Sequence, residues 1–579
     1  MNYLKKYESW LQNSYFDEEA RAELALLRDN HAEIKERFHK DLEFGTSGLR
    51  GIMGIGSNRM NVYTVRRATQ GYANYLKKEF SHIEPGVLFA YDSREFSKRF
   101  ALEAALVMCA NGIKAYVFES LRPAPELSFG VRHLGLSGGV TITASHNPPE
   151  YNGYKVYGPD GAQVTSPHDR RIIDEVNKVS WADIITLDTK KAVKDGLLIY
   201  VGEEIDEAYY AAILAQSIDK GAITEHGNDM NIVFTPLHGS GNIPVREVLS
   251  RAGFKNVHVV AEQEEPDGRF PTVASPNPED SRVFDLALML AEKVLADVVI
   301  AVDPDADRIG AAVRTNGNYF ILNGNMIGVL LTEYMLSNLK QKGALPEDGM
   351  IISSVVSTNL TRKIARNFGV EYEEILTGFK YIGEKITRME KIGTPTYLFG
   401  FEESLGYLAG TYTREKDAVL AAYLVCEMAA AYKKRNMTLH DGLIELFDKY
   451  GYHLERIKSI TLRGIEGANL MKRIMDSYRF ESPIFLGTDK VVSISDFSTG
   501  LVTDVESGRV EETVLPKANV LYYEAEGGSW MCMRPSGTEP KMKIYFGTCA
   551  ESMEQCSKKL EIIIEEAMAS FEARKNTYE

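Results

Sequence analysis

The side chain best placed to act as a nucleophile is Ser145, in the run SHNPP at residues 145–149. It follows LGLSGGVTIT at residues 134–143, a Gly-rich and β-branched stretch that is typical of a short buried strand ending near Ala144. The two prolines lack backbone N–H groups and disfavour a helix, so they stiffen the loop. A hydroxyl held at the carboxyl end of such a strand could react, and an ordinary turn is the alternative.

A second candidate site is DPDADR, which follows the apolar strand DVVIAV and carries Asp303, Asp305 and Asp307 at alternate positions. In extended backbone these carboxylates point to one side. Their mutual repulsion favours a bound cation, and an all-oxygen set suits Mg²⁺ better than Zn²⁺. An EF-hand is excluded because Arg308 and Arg314 occupy the positions that need Gly and Glu. A solvated acidic turn is the alternative.

Near the end of the chain, RPSGTEPKMK offers a set of phosphate-binding groups around Gly537: Arg534, Ser536, Thr538, Lys541 and Lys543. Backbone N–H groups can converge on an anion at Gly, and a guanidinium matches phosphate geometry. The stretch indicates a phosphate cradle, with a basic surface turn as the alternative. It is no Walker A loop, and the near match GFKYIGEK has Glu384 where Lys is required.

Three weaker signals lie in other loops. GFEESLGYL places Glu402, Glu403 and Ser404 after an apolar strand, where they could bind sugar hydroxyls, although Ser404 could equally cap a helix. Arg50 in FGTSGLRG could face an anion. A lone His after a strand, such as His238 in TPLHG, is usually structural, and we assign it no catalytic role.

The elements that must position these loops follow a repeated βα pattern. Three strand and helix series precede a C-terminal region of short strands and turns that closes with a helix, which predicts three α/β domains and one α+β domain. We expect boundaries at residues 1–204, 205–318, 319–455 and 456–579, with one or two outer helices before residue 40.

Bulk composition excludes several classes of function. The 579 residues carry 66 Lys and Arg against 81 Asp and Glu, a formal net charge of −15, which argues against general binding to nucleic acid or anionic membrane. We find no signal-peptide core and no uninterrupted apolar stretch of about 18 residues. The five cysteines lack CxxC spacing. We therefore expect a cytoplasmic protein, and the sequence gives no indication of oligomeric state.

Together, TASHNPPEYNGYK, DPDADR, GFEESLGY and RPSGTEP closely resemble the α-D-phosphohexomutase family, from about residue 41 onward. The segment FGTSGLRGIMGIGSNRMNVYTVRRATQGYANYL is most similar to the long phosphoglucomutases of the phosphopentomutase-like branch. The resemblance implies three related α/β/α domains with mixed sheets and a C-terminal domain of the TATA-box-binding-protein-like class, arranged around one cleft.

The resemblance also implies roles for individual residues. Ser145 would carry the phosphoryl group, with His146, Lys155 and Arg50 beside it. The metal ligands of one Mg²⁺ per chain would be Ser145, Asp303, Asp305 and Asp307. The sugar phosphate would be bound by Glu402, Ser404, Lys380, Arg534, Ser536, Gly537 and Thr538.

The implied activity is interconversion of glucose 1-phosphate and glucose 6-phosphate through a phosphoserine and glucose 1,6-bisphosphate. Because the bisphosphate must turn end for end, such an enzyme needs two phosphate sites. Phosphomannomutase and phosphopentomutase are alternatives, although Phe379 stands where some phosphomannomutases carry His. More distant alternatives are a serine-nucleophile, metal-dependent phosphatase and a sugar-phosphate sensor without catalytic activity.

Overall fold

The computed structural model describes residues 2–45, 48–80, 86–462, 464–535 and 541–578. The chain divides into two compact units. The first comprises Met1–Ile327, Gln341–Met350 and Gly378–His440, and the second comprises Gly328–Lys340, Ile351–Thr377 and Asp441–Glu579.

The N-terminal segment forms α1 (Asn2–Gln12), α2 (Glu18–Leu26) and α3 (His31–Phe38). One or two helices were predicted, and the difference arises from two polar caps inside the segment. The side chain of Asp17 accepts a hydrogen bond from Ala20 N–H, and that of Asn30 accepts one from Glu33 N–H. Each cap starts a new helix within a stretch whose apolar spacing alone looks continuous.

The first sheet is mixed, in the order β1-β5-β4-β2-β3-β6. Strands β2, β3, β4 and β6 run parallel, and β5 runs antiparallel to both β4 and β1. Strands β2 and β4 are neighbours, so their carboxyl ends and the loops that follow them meet at one sheet edge. The elements are β1 (Gly48–Ile52), α4 (Val62–Glu79), β2 (Gly86–Tyr91), α5 (Ser97–Ala110), β3 (Lys114–Phe118), α6 (Ala124–His133), β4 (Gly138–Ile142), β5 (Tyr151–Tyr157), α7 (His168–Lys178), α8 (Thr189–Lys194), β6 (Leu198–Val201) and α9 (Glu203–Leu214).

The second sheet is also mixed, in the order β11-β10-β9-β7-β8. Strand β9 runs parallel to β7 and antiparallel to β10, so the DPDADR loop is the tight return between β9 and β10. The elements are α10 (Lys220–His226), β7 (Asn231–Thr235), α11 (Asn242–Ala252), β8 (Asn256–Val259), α12 (Ala261–Glu264), α13 (Asp285–Val294), β9 (Val298–Val302), β10 (Ile309–Thr315) and β11 (Asn318–Leu322).

The third series contains the hairpin that carries GFEESLGYL. Its elements are α14 (Gly324–Gln341), β12 (Gly349–Ser354), α15 (Leu360–Phe368), β13 (Glu371–Ile375), α16 (Lys380–Ile392), β14 (Thr396–Glu402), β15 (Gly406–Ala409), α17 (Ala418–Lys434) and α18 (Leu439–Tyr450). Strands β14 and β15 pair antiparallel with Glu402 opposite Gly406. Ser404 therefore lies in a hairpin turn, and its alternative interpretation as a helix cap is wrong.

The C-terminal region forms an antiparallel sheet in the order β16-β23-β22-β21-β18-β19-β20, with β17 beside β18. Its core includes residues of two helices, α19 and α20. The sequence predicted only the last of these helices, because the Gly-containing start of α19 resembles a turn. The elements are β16 (Tyr452–Thr461), α19 (Gly464–Phe480), β17 (Phe485–Leu486), β18 (Asp489–Asp496), β19 (Leu501–Asp504), β20 (Val510–Glu512), β21 (Leu521–Ala525), β22 (Trp530–Pro535), β23 (Lys541–Ala550) and α20 (Met553–Tyr578).

The predicted alternation of strands and helices and the C-terminal α+β region are thus confirmed. None of the helices in the described part of the chain combines the length and the apolarity that crossing a membrane requires.

The N-terminal helices are joined to the first domain by an aromatic cluster. Trp10 stacks on Phe16 with ring centroids 4.0 Å apart, and Tyr63 and Trp181 contact Phe16 edge-on at 4.9 and 5.3 Å. Phe16 is fully buried. The cluster makes these helices part of the first hydrophobic core.

We expect Phe16→Ala to destabilise this core by about 3–5 kcal/mol, because it removes a buried ring and leaves a cavity. Thermal unfolding followed by tryptophan fluorescence measures the effect, since Trp10 and Trp181 both report on the cluster. Phe480→Ala, at a ring that is 89% exposed, is the matched control and should leave the midpoint near that of the wild type. Equal midpoints for both variants would contradict the packing role.

Candidate active site

Ser145 lies in a left-handed backbone conformation, with φ of +50°, directly after β4. Its Oγ donates a hydrogen bond to Asp303 Oδ2 at 2.7 Å, although the two residues are 158 positions apart. His146 Nδ1 lies 3.2 Å from the same Oγ. The structure thus brings three predicted site residues together and points the serine hydroxyl at the carboxylate cluster.

The loop that carries Ser145 is held by a buried guanidinium that the sequence analysis missed. Arg94 donates to the carbonyl oxygens of Ser145 at 2.5 Å, Pro148 at 2.8 Å and Tyr151 at 3.0 Å, and to that of Asn147. The side chain of Arg94 is wholly buried. One cation therefore donates to four carbonyls in and beside this loop, and of these the Pro148 carbonyl also accepts the Tyr151 N–H at 3.1 Å.

Asp92 fixes the arginine and the start of the loop. It accepts hydrogen bonds from Thr143 Oγ1 at 2.6 Å and Ser97 Oγ at 2.7 Å, and it pairs with Arg94 Nε at 3.3 Å. Thr143 Oγ1 in turn accepts the Ser145 N–H at 2.8 Å. The available signal was YDSRE at the end of β2, since β2 neighbours β4 and both strand ends face the same edge.

Asp303, Asp305 and Asp307 lie in a turn and not in the extended backbone that was predicted. Ala306 has φ of +51°, and its N–H donates to Asp303 O at 2.9 Å. The turn still brings one oxygen of each carboxylate within 4.8 Å of the others. All three side chains are buried, so the alternative interpretation as a solvated acidic turn is wrong.

Backbone donors from three separate segments hold this turn. The carbonyls of residues 304–306 accept hydrogen bonds from the N–H groups of Ser240 at 2.8 Å, Ala124 at 2.9 Å and Ala418 at 3.1 Å. Ala124 and Ala418 are the first residues of α6 and α17, whose N-termini have N–H groups without partners inside the helix. The carboxylates are thereby fixed relative to three helices or loops at once.

Two buried lysines balance the charge of the cluster. Lys155 Nζ lies 2.8 Å from Asp305 Oδ2 and 3.1 Å from Asp307 Oδ2, and Lys416 Nζ lies 2.8 Å from Asp307 Oδ2. Burial lowers the pKa of Lys155, but these carboxylates outweigh it and raise the pKa above its usual range. Burial raises the pKa of Asp307, yet Lys155 and Lys416 bring it below its usual value. Both ammonium groups therefore stay charged.

The carboxylate cluster also fits a divalent cation. Asp305 Oδ1 and Asp307 Oδ1 are buried, and neither has a hydrogen-bond partner among the described residues. Burial, followed by the charges of Asp305 and Asp307, raises the pKa of Asp303 well above its usual range. An uncompensated carboxylate oxygen is costly to bury, and a hard cation would satisfy it.

Arg50 and Lys155 lie on adjacent antiparallel strands. Arg50 is on β1 opposite Gly153, and Lys155 is on β5 opposite Gly48. The Arg50 guanidinium donates to Asn147 Oδ1 at 3.2 Å. The two predicted cations thus lie near Ser145. Arg50 lies beside the Ser145 loop, and Lys155 lies in the carboxylate cluster.

The sugar-binding candidates lie at the β14–β15 hairpin. Glu402 Oε1 accepts the Gly378 N–H at 2.6 Å. Ser404, two residues further along the turn, is partly exposed. Leu405 O accepts the N–H of Ile309, the first residue of β10, at 3.1 Å. This hydrogen bond joins the hairpin to the strand that leaves the DPDADR turn.

Lys380 begins α16, and its ammonium lies 5.3 Å from the centre of the Tyr381 ring. Burial lowers its pKa, and the nearby charges of Asp169 and Glu384 only partly offset that effect. Among the described residues, Lys380 has no carboxylate within ion-pair distance, as expected of a cation that binds an anion.

Arg534 is on β22 of the second unit, opposite Lys543 on β23. Its Nε is buried and has no hydrogen-bond partner within the described residues. A buried guanidinium N–H without a hydrogen-bond partner is suited to donate to a bound anion. Ser536, Gly537 and Thr538 lie outside the described residues, so their predicted phosphate contacts stay predictions.

Sequence reasoning also missed Lys416. It belongs to the run REKD at residues 414–417, which precedes an apolar helix and resembles a solvated charged turn. All four side chains are in fact buried. Glu415 accepts hydrogen bonds from Tyr157 at 3.0 Å and from Gln163 at 2.5 Å. No local sequence signal distinguishes this run from an exposed one.

Comparison with known proteins assigns the three strand and helix series to domains of a known family. The phosphoglucomutase/phosphomannomutase α/β/α domains I, II and III match residues 41–183, 207–317 and 323–450. A phosphoglucomutase of Staphylococcus epidermidis is 38% identical over 530 residues, which cover 91% of this chain and 94% of that protein. The chain therefore belongs to the phosphoglucomutase/phosphomannomutase family, with three α/β/α domains and a C-terminal α+β domain.

Solved structures show the same fold. The Paramecium phosphoprotein pp63/parafusin, a phosphoglucomutase in its open form, has a TM-score of 0.68 at 19% identity, covering 93% of this chain and 95% of that one. A phosphoglucomutase/phosphomannomutase family protein of Burkholderia thailandensis has a TM-score of 0.62 at 17% identity, with coverage of 90% and 96%.

We expect Asp305→Asn to weaken Mg²⁺ binding by about tenfold or more, because it removes one formal charge from an all-oxygen site. Isothermal titration of the unphosphorylated protein measures this without any activity assay. Asp195→Asn, at an exposed carboxylate, is the control and should bind Mg²⁺ like the wild type. Unchanged binding by Asp305→Asn would remove this residue from the metal site.

Proposed function

We propose that this protein is a phosphoglucomutase, which interconverts glucose 1-phosphate and glucose 6-phosphate through a phosphoserine at Ser145. Curated relatives at 35–38% identity over most of the chain carry that name. The observation that carries the proposal is the 2.7 Å hydrogen bond from Ser145 Oγ to the buried carboxylate cluster, with Lys155 beside it.

In the first half-reaction, the P–Oγ bond of phosphoserine breaks and a P–O bond forms at O6 of glucose 1-phosphate. The product is glucose 1,6-bisphosphate with a free Ser145 hydroxyl. After the bisphosphate turns end for end, the P–O1 bond breaks and the P–Oγ bond forms again. In the first step a proton leaves O6 and Oγ gains one. In the second step Oγ loses a proton and O1 gains one, so protons and phosphoryl groups balance without another reactant.

The residues around Ser145 supply charge and proton contacts for these steps. Lys155 stays protonated, because the carboxylates raise its pKa, so it stabilises transferring oxygens and does not act as a base. Arg50, beside the loop at Asn147, adds a second cation. Asp303 Oδ2 and His146 Nδ1 both lie within 3.2 Å of Oγ and can exchange its proton.

Asp303, Asp305 and Asp307, with an oxygen of phosphorylated Ser145, would hold one Mg²⁺. When bound, that ion offsets negative charge on the transferring phosphoryl oxygens. The unpartnered oxygens of Asp305 and Asp307 support this assignment.

The remaining candidates would bind the parts of the substrate that are not reacting. Glu402 and Ser404 would contact sugar hydroxyls, and Lys380 would contact a phosphate. Arg534, with Ser536, Gly537 and Thr538, would hold the idle phosphate. We propose domain boundaries at residues 204, 318 and 455 and a cytoplasmic location.

We expect Ser145→Ala to lower turnover by orders of magnitude, because the covalent nucleophile is lost. A coupled assay with glucose 1-phosphate, mannose 1-phosphate or ribose 1-phosphate, each with and without its bisphosphate, measures turnover and sugar preference together. Intact mass should show one phosphoryl group in the wild type and none in the variant. Ser281→Ala, at an exposed serine, is the control.

Each result of that assay decides between activities. Near wild-type turnover by Ser145→Ala would refute the phosphoserine mechanism. Preference for the mannose or ribose substrate would replace glucose in the proposal. Release of inorganic phosphate without isomerisation would identify a phosphatase.

Arg534→Ala should raise KM by about 10- to 150-fold and release more glucose 1,6-bisphosphate, because a charge-assisted fork to phosphate is worth about 1.5–3 kcal/mol. Steady-state kinetics with bisphosphate release measured alongside tests this. Arg509→Ala, at a side chain that is 74% exposed in the same domain, is the control. Unchanged KM and release would show that the idle phosphate is bound elsewhere.

A further inference from the structure

We name the loop between β4 and β5, residues 143–150, the nucleophile loop, because it carries Ser145. One segment of the second domain contacts this loop of the first domain and has no part in the function proposed above. We name residues 266–275 the clamp segment. They read PDGRFPTVAS, and the site motifs described above do not include them. Three contacts join this segment to Arg94, Glu95 and His146.

The first contact is an aromatic ring on the buried arginine. The centre of the Phe270 ring lies 5.0 Å from the guanidinium carbon of Arg94, and Phe270 is almost fully buried. Its φ of +47° is unfavourable for a bulky residue, so the surrounding packing must hold it there. The ring covers the cation whose Nη1 and Nη2 groups donate to carbonyls in and beside the nucleophile loop.

The second contact is a close approach of two backbones. A Cβ atom at Gly268 would lie 2.4 Å from Glu95 N and 2.7 Å from Arg94 Cα and C. Glycine is therefore required here for steric reasons, and the clamp segment lies directly on the chain that carries Arg94.

The third contact reaches the nucleophile loop itself. Ser275 Oγ donates to the carbonyl oxygen of His146, the residue after the nucleophile, at 2.6 Å. Because Arg94 already binds the carbonyls on both sides of His146, this hydroxyl completes a run of fixed carbonyls from residue 145 to residue 148.

The clamp segment is braced from behind by His238. Its Nδ1 contacts Glu265 O and its Nε2 contacts Thr272 Oγ1, both at 3.0 Å. Gln263 Nε2 also donates to Thr272 Oγ1, at 3.0 Å. These contacts explain why His238 is buried although it lies outside the carboxylate cluster. They also fix the clamp segment in its contact with Arg94 and the nucleophile loop.

We propose that the clamp segment sets the position of Ser145 across the domain boundary, with Gly268, Phe270 and Ser275 as positioning residues that act through Arg94 and His146. The inference rests on the proposed function, since its purpose is in-line phosphoryl transfer at Ser145. Loss of the clamp should therefore slow transfer to and from Ser145 and leave substrate binding and the metal ligands intact.

Gly268→Ala is the sharper test, because the added methyl must push the clamp segment away from Arg94. A small misplacement of a reacting group can lower a rate by about 100-fold, so we expect kcat to fall by roughly 10- to 100-fold with KM and Mg²⁺ affinity nearly unchanged. Gly317→Ala is the control, since Gly317 lies in the same domain with φ of +81° and open space around it.

Ser275→Ala is a milder variant that should fold normally. Loss of one hydrogen bond should lower kcat by about 2- to 13-fold, and Ser275→Thr, which keeps the hydroxyl, should restore most of the rate. Ser281→Ala is the control at a serine outside the clamp segment. A purely structural role would not give this kcat effect with rescue at constant KM.

A second readout does not depend on activity. Hydrogen exchange of peptides covering residues 144–153 should become faster in Gly268→Ala and Ser275→Ala than in either control. If the wild type fails to isomerise glucose 1-phosphate, the proposed function is wrong. If the wild type isomerises it and both clamp variants match the wild type in kcat and exchange, the clamp inference alone is wrong.

Discussion

The site depends on one constraint, which is the fixed backbone of the turn at residues 303–308. Three carboxylates crowded into a buried turn repel one another, and the turn persists because its carbonyls accept hydrogen bonds from Ala124, Ser240 and Ala418. These donors come from three family domains, so the turn is the point where the domains are tied together. Lys155 and Lys416 balance the charge from two of those domains, and the carboxylate positions therefore depend on the whole first unit.

Hydrogen bonds to backbone carbonyls also hold the loop that carries Ser145, and there the donor is a buried cation. A single buried guanidinium, Arg94, donates to four carbonyls in and beside this loop. An arginine suits this task because its planar fork presents five N–H donors in fixed directions and keeps its charge when buried. Ser145 has a left-handed φ, and its Oγ donates to Asp303, so backbone hydrogen bonds position both the Ser145 hydroxyl and the carboxylate cluster.

Much of this protein could be predicted from its sequence, because the relevant signals are local. Strand and helix periodicity gave the alternating α/β class, and each reactive loop follows an apolar strand whose end is visible in the chain. Ser145 and Asp303 were predicted for that reason, whereas Lys155 was implied only by the family resemblance. The structure brings all three together. The α19 helix and the split of the N-terminal segment were not predicted, because a glycine-containing start and two internal caps outweigh periodicity over short windows.

The sequence by itself determined which residue types carry the chemistry and on which loops they lie. Tertiary structure alone decided the charge balance of the carboxylate cluster and the direction of the Ser145 hydroxyl. Lys416 meets Asp307 across 109 residues, and the run at residues 414–417 resembles a solvated turn until folding buries it. Arg94 and Ser275 likewise act through carbonyl groups, which every residue possesses. Because every residue has a backbone carbonyl, the sequence does not indicate which carbonyls accept such hydrogen bonds. These contacts can be identified only in the folded structure.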